Sequence, residues 1–226
     1  MKRFLIAATL SLTLVACASG PRGPRFGKIE PIANPSAVIA AELAFARLAQ
    51  EKGQWTAFRA TAADGAEMFV PHRVKAADWL KGRAEPAVAV KWQPHAVWSS
   101  CDGTYAVTRG GWESPNASGS FATIWQRQKN GALKWIADMS LTADGPASAP
   151  EMIAARVAEC KIRPAPPPVI AVADSDWQTG ASADGTLRWG TGATASGGRR
   201  ILVSLWNGAT YEAVLDHSAP ATGAPR

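Results

Sequence analysis

Two strand-like runs meet at an Asn-Gly dipeptide in GSFATIWQRQKNGALKWIADMS, residues 119–140, and this stretch constrains the fold more than any other. Asn-Gly is typical of a two-residue type I′ hairpin, because both of its residues must adopt positive φ. A turn at Asn130-Gly131 fixes the register of the two strands. The predicted cross-strand pairs are Trp125 with Ile136, Thr123 with Asp138, and Arg127 with Lys134.

This register places an acid on an apolar face of the hairpin. One predicted face carries Phe121, Thr123, Trp125, Ile136 and Asp138. The other predicted face carries Ala122, Ile124, Leu133, Trp135, Ala137 and Met139. Both faces are largely apolar, so we expect helices to cover one of them and a second layer or a partner to cover the other.

Helical periodicity precedes the hairpin and changes to strand periodicity at Val88. A capping Asn34 followed by Pro35 starts a first helix over residues 37–52, and Gly53 ends it. Further segments are a short helix with Trp55 and Phe58, a strand over 66–70, a helix over 73–81, and strands on both sides of a second type I′ turn at Asp102-Gly103. The pattern predicts an α+β domain over residues 36–142, in which a curved antiparallel sheet packs against three helices.

The remainder of the chain is predicted as an appendage. Residues 143–168 read as a short helix over 150–161 and a Pro-rich linker. Residues 169–216 hold three apolar runs separated by Gly-rich turns, which predict a β-meander that docks onto the main sheet or extends its edge. Residues 217–226 are predicted to form a disordered tail.

The first residues predict export and a lipid anchor. Lys2 and Arg3 precede a short apolar run, so residues 1–16 are interpreted as a signal peptide. The stretch 14–17, LVAC, resembles the bacterial lipobox, in which the cysteine is lipidated; the alternative is an ordinary signal with a chance cysteine. Because Ala18 follows Cys17, we expect a periplasmic lipoprotein anchored to the outer membrane, with residues 17–35 as a flexible tether.

Charge and cysteine content narrow the possible partners. The net charge of +6 is scattered along the chain, so we expect no nucleic-acid partner. An oxidising periplasm permits a disulfide between Cys101 and Cys160, and two separate buried thiols are the alternative. No histidine is spaced with another ligand as metal sites require, so no metal and no cofactor are expected.

A family resemblance rests on three stretches: ELAFARLAQEKGQWTAFRATAADGAEMFVP (42–71), GGW (110–112) and FATIWQRQKNGALKWIADMS (121–140). Together they resemble the nuclear transport factor 2-like superfamily, the cone-shaped fold of ketosteroid isomerase, the SnoaL-like cyclases and scytalone dehydratase. The closest branch is the bacterial domain of unknown function 4440, over residues 37–142. The resemblance implies a deep pocket between the concave sheet face and the helices, where enzymes of the superfamily use Asp, His or Tyr. It also implies that two copies can pair through the outer sheet face.

Asp138 is the first candidate for a catalytic acid, and His72 and His95 are weaker candidates. Burial in an apolar pocket would suit Asp138 to acid–base work. The commoner alternative is a structural carboxylate that accepts a hydrogen bond from Thr123, a backbone N–H or a Trp N–H. Candidate ligand-binding aromatics are Trp55, Phe58, Trp79, Trp98, Phe121 and Trp125.

These features support three functional hypotheses. The leading one is a non-catalytic lipoprotein that binds a small apolar molecule in its pocket or serves an accessory envelope role. The first alternative is a lyase or isomerase that uses Asp138 as its acid–base group. The second alternative is a dimerisation scaffold. A fold resemblance by itself does not choose among them.

Overall fold

The computed structural model of the chain describes residues 32–141, 149–165, 176–194 and 197–220. Over these residues the protein is α+β, with three helices and two β-sheets, the larger of which is curved and mostly antiparallel. The predicted fold class is therefore confirmed at this level. Several predictions lie outside the described residues: the signal peptide 1–16, lipidated Cys17, most of the tether 17–35, and parts of the linker and tail.

The three helices are α1 (Pro35–Lys52), α2 (Gln54–Thr61) and α3 (Ala76–Leu80). Asn34 caps α1 as predicted, with its side-chain oxygen accepting a hydrogen bond from the Ala37 N–H at 3.0 Å. The predicted helix over 73–81 is too long, because its first three residues pair with a neighbouring strand instead. Among the described helices, none combines the length and the apolar character needed to cross a membrane.

The first sheet has seven strands. They are β1 (Ala62–Phe69), β2 (Arg73–Lys75), β3 (Lys91–Ser99), β4 (Tyr105–Ser114), β5 (Ala117–Arg127), β6 (Leu133–Leu141) and β7 (Ala154–Val157). Their order across the sheet is β2-β1-β6-β5-β4-β3-β7. The pairs β1–β6 and β3–β7 are parallel, and the other pairs are antiparallel.

The short helix predicted over residues 150–161 is wrong. Residues Ala154–Val157 form β7, which pairs in parallel with Ala96–Ser99 at the edge of the sheet. All four of its side chains are exposed, so no buried face imposes a helical period on this segment. The segment pairs with the backbone N–H and C=O groups at the edge of β3. A tertiary contact of this kind overrides the local helix propensity of the segment.

The turn between β5 and β6 is longer than the predicted two-residue turn. Gly131 has a φ of +85°, but Asn130 does not have a positive φ, so the turn is not type I′. The Gly131 N–H donates to the Gln128 carbonyl at 2.8 Å, and the Gln128 N–H donates to the Ala132 carbonyl at 2.8 Å. A tight turn followed by a glycine bulge shifts the register here by one residue.

A second irregularity restores the register further along the hairpin. Trp125 pairs with Trp135, but Ile124 pairs with Ala137, so Ile136 is an extra residue on β6. The predicted partners Ile136 for Trp125 and Lys134 for Arg127 are therefore wrong. Thr123 does pair with Asp138, as predicted, because the two shifts cancel. The bulge also moves Trp135 to the helix side of the sheet and Ile136 to the opposite side.

The second sheet is formed by the C-terminal part of the chain. Its strands are β8 (Gln178–Ala181), β9 (Leu187–Ala193), β10 (Arg199–Trp206) and β11 (Tyr211–Ala219), in the antiparallel order β11-β10-β9-β8. The tail predicted from residue 217 begins too early. His217 pairs with Ile201 and Ala219 pairs with Arg199, so β11 continues to Ala219.

The two faces of the seven-stranded sheet support separate cores. On the helix side, residues of α1 and α2 pack against the sheet in a core rich in aromatic side chains. On the outer side the second sheet covers the first, and the core between them is aliphatic. Its main members are Phe69, Val107, Ile124, Met139, Leu141, Leu187, Ile201, Val203, Leu205 and Leu215.

Two loops with the same Ser-x-Asp-Gly-Thr sequence join the two sheets at one end of the molecule. Residues 100–104 connect β3 to β4, and residues 182–186 connect β8 to β9. In each loop one carboxylate oxygen of the aspartate accepts hydrogen bonds from the Ser hydroxyl, the Thr hydroxyl and the Thr N–H, at 2.6–3.0 Å. The type I′ turn predicted at Asp102-Gly103 is wrong, because Gly103 has a positive φ but Asp102 does not.

The two loops bind each other reciprocally. The Asp102 N–H donates to Asp184 Oδ2 at 2.8 Å, and the Asp184 N–H donates to Asp102 Oδ2 at 2.9 Å. The Cys101 N–H donates to Thr186 Oγ1, and the Ala183 N–H donates to Thr104 Oγ1. This aspartate clamp relates the loops by an approximate two-fold axis. We call the end of the molecule that contains it the clamp end.

Candidate functional site

Asp138 lies on β6 and faces the helix-side core. It is only 3% exposed, and its Oδ2 accepts a hydrogen bond from the Thr123 hydroxyl at 2.8 Å. This hydrogen bond from Thr123 is the structural role that was predicted as the alternative to a catalytic role for Asp138. Because Thr108 pairs with Thr123 on the next strand, the three residues form one polar row across β4, β5 and β6.

A second buried acid, Glu42 on α1, faces the same row. Its side chain is fully buried, with 0% exposure. Oε1 accepts from Trp92 Nε1 at 2.8 Å, and Oε2 accepts from Thr108 Oγ1 at 2.6 Å and from Trp125 Nε1 at 3.0 Å. Three donors on one carboxylate compensate much of the cost of its burial.

Sequence reasoning missed Glu42, although the sequence carries a signal for it. The buried residues of α1 are Val38, Glu42, Phe45 and Ala49, at successive steps of four, three and four. That spacing is one face of a helix. A charged residue in the middle of an apolar stripe therefore indicated a buried acid, and the tryptophans of β3 and β5 were its available donors.

The other two catalytic candidates do not join Asp138. His72 is exposed in the turn between β1 and β2. His95 is the extra residue of a bulge in β3, and burial lowers its pKa, with the nearby Arg109 guanidinium lowering the pKa further. Strand β3 is three strands away from β6 in the sheet, which separates His95 from Asp138 by about 14 Å. That distance is too long for a shared proton.

Four of the six predicted ligand-binding aromatics lie in the helix-side core. Trp55, Phe58, Phe121 and Trp125 are buried there. Trp79 is partly buried at its margin, with its ring 5.0 Å from that of Trp55. Trp98 is on the other side of the sheet and packs against the aliphatic core, so it does not line the same space.

The rings of the helix-side core contact one another edge to face. Phe45 is central, with ring-centroid distances of 4.8 Å to Phe58, 4.8 Å to Trp92 and 6.2 Å to Trp125. These are contact distances for aromatic pairs. These rings pack between the helices and the sheet, in the region where the family resemblance implies a pocket.

The predicted disulfide between Cys101 and Cys160 is present. It joins the β3–β4 loop to the segment that follows β7, at the clamp end. Within the described part of the chain, no group of three or more His, Cys, Asp or Glu side chains is placed to hold a metal ion.

The hydrogen-bonded arrangement around Glu42 and Asp138 is suited to stabilising the fold. Both buried carboxylates accept hydrogen bonds from side chains that are themselves buried, and the surrounding surface is aromatic. An acid–base site requires a second polar group within reach of a substrate atom. Comparison with models of known protein families and with curated proteins gives no match for this chain.

Proposed function

We propose that the chain is a periplasmic lipoprotein whose lipid anchors it in the outer membrane. In this proposal its folded part has a non-catalytic, accessory role in the envelope. We further propose that residues 35–141 are a nuclear transport factor 2-like cone. Support for the cone comes from the element order and from α1 and α2 packing on one face of a curved sheet.

One observation carries the non-catalytic role. Between the helices and the sheet, aromatic rings contact one another edge to face, and Glu42 accepts hydrogen bonds there from Trp92, Thr108 and Trp125. A substrate or a small apolar ligand would have to displace these rings, each of which is costly to unpack. In this proposal the protein acts through its surface and its lipid anchor and not through an interior pocket.

The two alternatives have less support. The lyase or isomerase hypothesis uses Asp138 with an assisting histidine, but His72 is exposed in a turn and His95 lies on β3, three strands from β6. The dimerisation hypothesis uses the outer face of the first sheet. That face packs against the second sheet of the same chain, with an aliphatic core between them.

The experiment that tests the proposal uses the full chain purified from its native membranes. Intact mass spectrometry should show a lipidated cysteine at position 17, and denaturation should release no stoichiometric small molecule. A strain that lacks the protein should show altered envelope permeability, which the wild type and Asp138→Asn restore equally. A bound apolar molecule would overturn the proposal that the interior is not the functional part. Failure of a folded Asp138→Asn protein to restore the phenotype would overturn the non-catalytic role.

A further inference from the structure

The chain enters the folded part at the clamp end. The Ala33 N–H donates to the Cys101 carbonyl at 2.9 Å. The Ile32 carbonyl lies so close to Gly103 that a Cβ on the glycine would come within 2.7 Å of it. The described part of the chain therefore begins beside the β3–β4 loop.

A continuous surface surrounds this point of entry. On one side the disulfide leads from Cys101 to Cys160, which is followed by Lys161, Ile162 and Arg163. On the other side Arg127 donates to the carbonyls of Gly103 and Gly131, at 3.1 Å each, which brings the β5–β6 turn alongside. We call this the entry surface, and its outward residues are Ile32, Lys129, Lys161, Ile162 and Arg163.

The entry surface combines exposed apolar side chains with cations. Ile32 is 74% exposed and Ile162 is 56% exposed, and both belong to a residue type that is usually buried. Lys129, Lys161 and Arg163 are also exposed. None of these three takes part in the ion pairs found among the described residues.

The acids at this end are turned away from solvent or engaged locally. Asp102 and Asp184 hold each other in the aspartate clamp. Glu159 accepts a hydrogen bond from the Lys161 N–H at 2.8 Å. These three acids are only partly exposed, whereas Lys129, Lys161 and Arg163 are exposed cations.

We propose that the entry surface rests on a bilayer that contains anionic lipid. Lysine and arginine are attracted to anionic headgroups, and isolated apolar side chains insert at the headgroup boundary. The proposal rests on the lipid anchor proposed above. The 14 residues between Cys17 and Ile32 reach about 50 Å when fully extended, so an anchored chain holds this surface near the membrane at high effective concentration.

The test uses the mature full-length chain with Cys17→Ser, which lacks the anchor. Co-sedimentation is measured with vesicles of phosphatidylcholine alone and with vesicles that also contain phosphatidylglycerol. We expect salt-sensitive binding to the anionic vesicles only. Ile162→Glu should weaken that binding about tenfold, since it removes an apolar contact and adds a negative charge.

Val88→Glu is the matched control. Val88 is 58% exposed, close to the value for Ile162, and the substitution changes the net charge equally. It precedes β3, whose other end leads to the entry surface about 26 Å away. Equal binding by the two variants, with both folded by circular dichroism, would overturn the proposal. Because the protein tested carries no lipid, this result is independent of whether Cys17 is modified in the cell.

Discussion

The two faces of the seven-stranded sheet pack against cores of different composition. The helix side contains aromatic rings, two acids and two threonines, and its tryptophan N–H groups donate to a buried carboxylate. The outer side contains aliphatic residues such as Val107 and Ile124, packed against Val203 and Leu205 of the second sheet. Polar contacts between the two sheets include the aspartate clamp, the hydrogen bonds of Arg73, and the bond from buried Arg199 to the Ser140 carbonyl.

The contrast shows that a polar core and an apolar core can share one sheet. A buried carboxylate with three donors fixes one arrangement of the aromatic rings, whereas aliphatic packing is tolerant of small changes. We therefore expect substitutions on the helix side to cost more, and to depend more on the chemistry of the replacement, than those on the outer side.

The largest effect should come from Glu42→Ala. It removes the acceptor for Trp92, Thr108 and Trp125 and leaves a cavity among them. We expect a loss of about 4 kcal/mol in the free energy of unfolding, measured by urea denaturation with tryptophan fluorescence. Glu42→Gln keeps the shape and one acceptor, so it should cost less than half as much. Equal losses for the two variants would contradict this expectation, because they would show that keeping the shape and one acceptor recovers no stability.

Leu205→Ala disrupts the aliphatic core between the two sheets. Leu205 is fully buried between the sheets, and its truncation should cost about 3 kcal/mol in the free energy of unfolding. Leu205→Met, which conserves volume, should cost less than 1.5 kcal/mol. The same urea titration measures both variants. A large loss for the methionine variant would contradict the tolerance expected of aliphatic packing.

Asp184→Ala opens the aspartate clamp and tests its pH dependence. Burial would raise the pKa of Asp184, but hydrogen bonds from Ser182, Thr186 and the Asp102 N–H outweigh it and hold the pKa below its ordinary value of 3.8. A depressed pKa stabilises the fold above pH 3.8 and loses that effect as the pH falls through the folded-state value.

We therefore expect Asp184→Ala to cost about 2 kcal/mol at neutral pH, with the difference from wild type shrinking below about pH 4. Thermal unfolding followed by circular dichroism across pH 2.5–8 would measure it. Asp64, exposed on β1, is the control, and Asp64→Ala should change little at any pH. A difference for Asp184→Ala that persists unchanged at low pH would contradict this role.

The smallest effect should come from Arg200→Ala, on the solvent side of the second sheet. Arg200 pairs with Asp216 at 2.7 Å, and both side chains are more than 40% exposed. Solvent screens such a pair, so we expect a loss of about 0.5 kcal/mol that disappears at high salt. Chemical denaturation at two salt concentrations measures it, and a loss above 1.5 kcal/mol would show that this face is more than a solvated surface.

The sequence predicted those features that depend on local chemistry. The Asn34 cap, the positions of the main hairpins and the pairing of Thr123 with Asp138 followed from residue type and spacing. That last pair was obtained although the turn was misassigned, because a bulge at Ile136 compensated for the longer turn. A bulge leaves no local signature in a run that is apolar on both faces.

The rest depends on contacts between distant segments. Strand β7 forms because β3 offers an unpaired edge, and its own sequence reads equally well as a helix. The spacing of Glu42 on α1 indicates that it is buried, but its donors on β3, β4 and β5 become known only from the fold. The repeated Ser-x-Asp-Gly-Thr loops are visible in the sequence, but their reciprocal binding is set by how the two sheets stack.

The position of the disulfide has a mechanical consequence. Tension applied between the amino-terminal end and the rest of the chain first reaches the hydrogen bond between Ala33 and Cys101. Cys101 is covalently bonded to Cys160, 59 residues further along, so the load passes through the sulfur bridge and bypasses β4, β5, β6 and β7. While the bridge is intact, pulling on the tether cannot unravel those four strands.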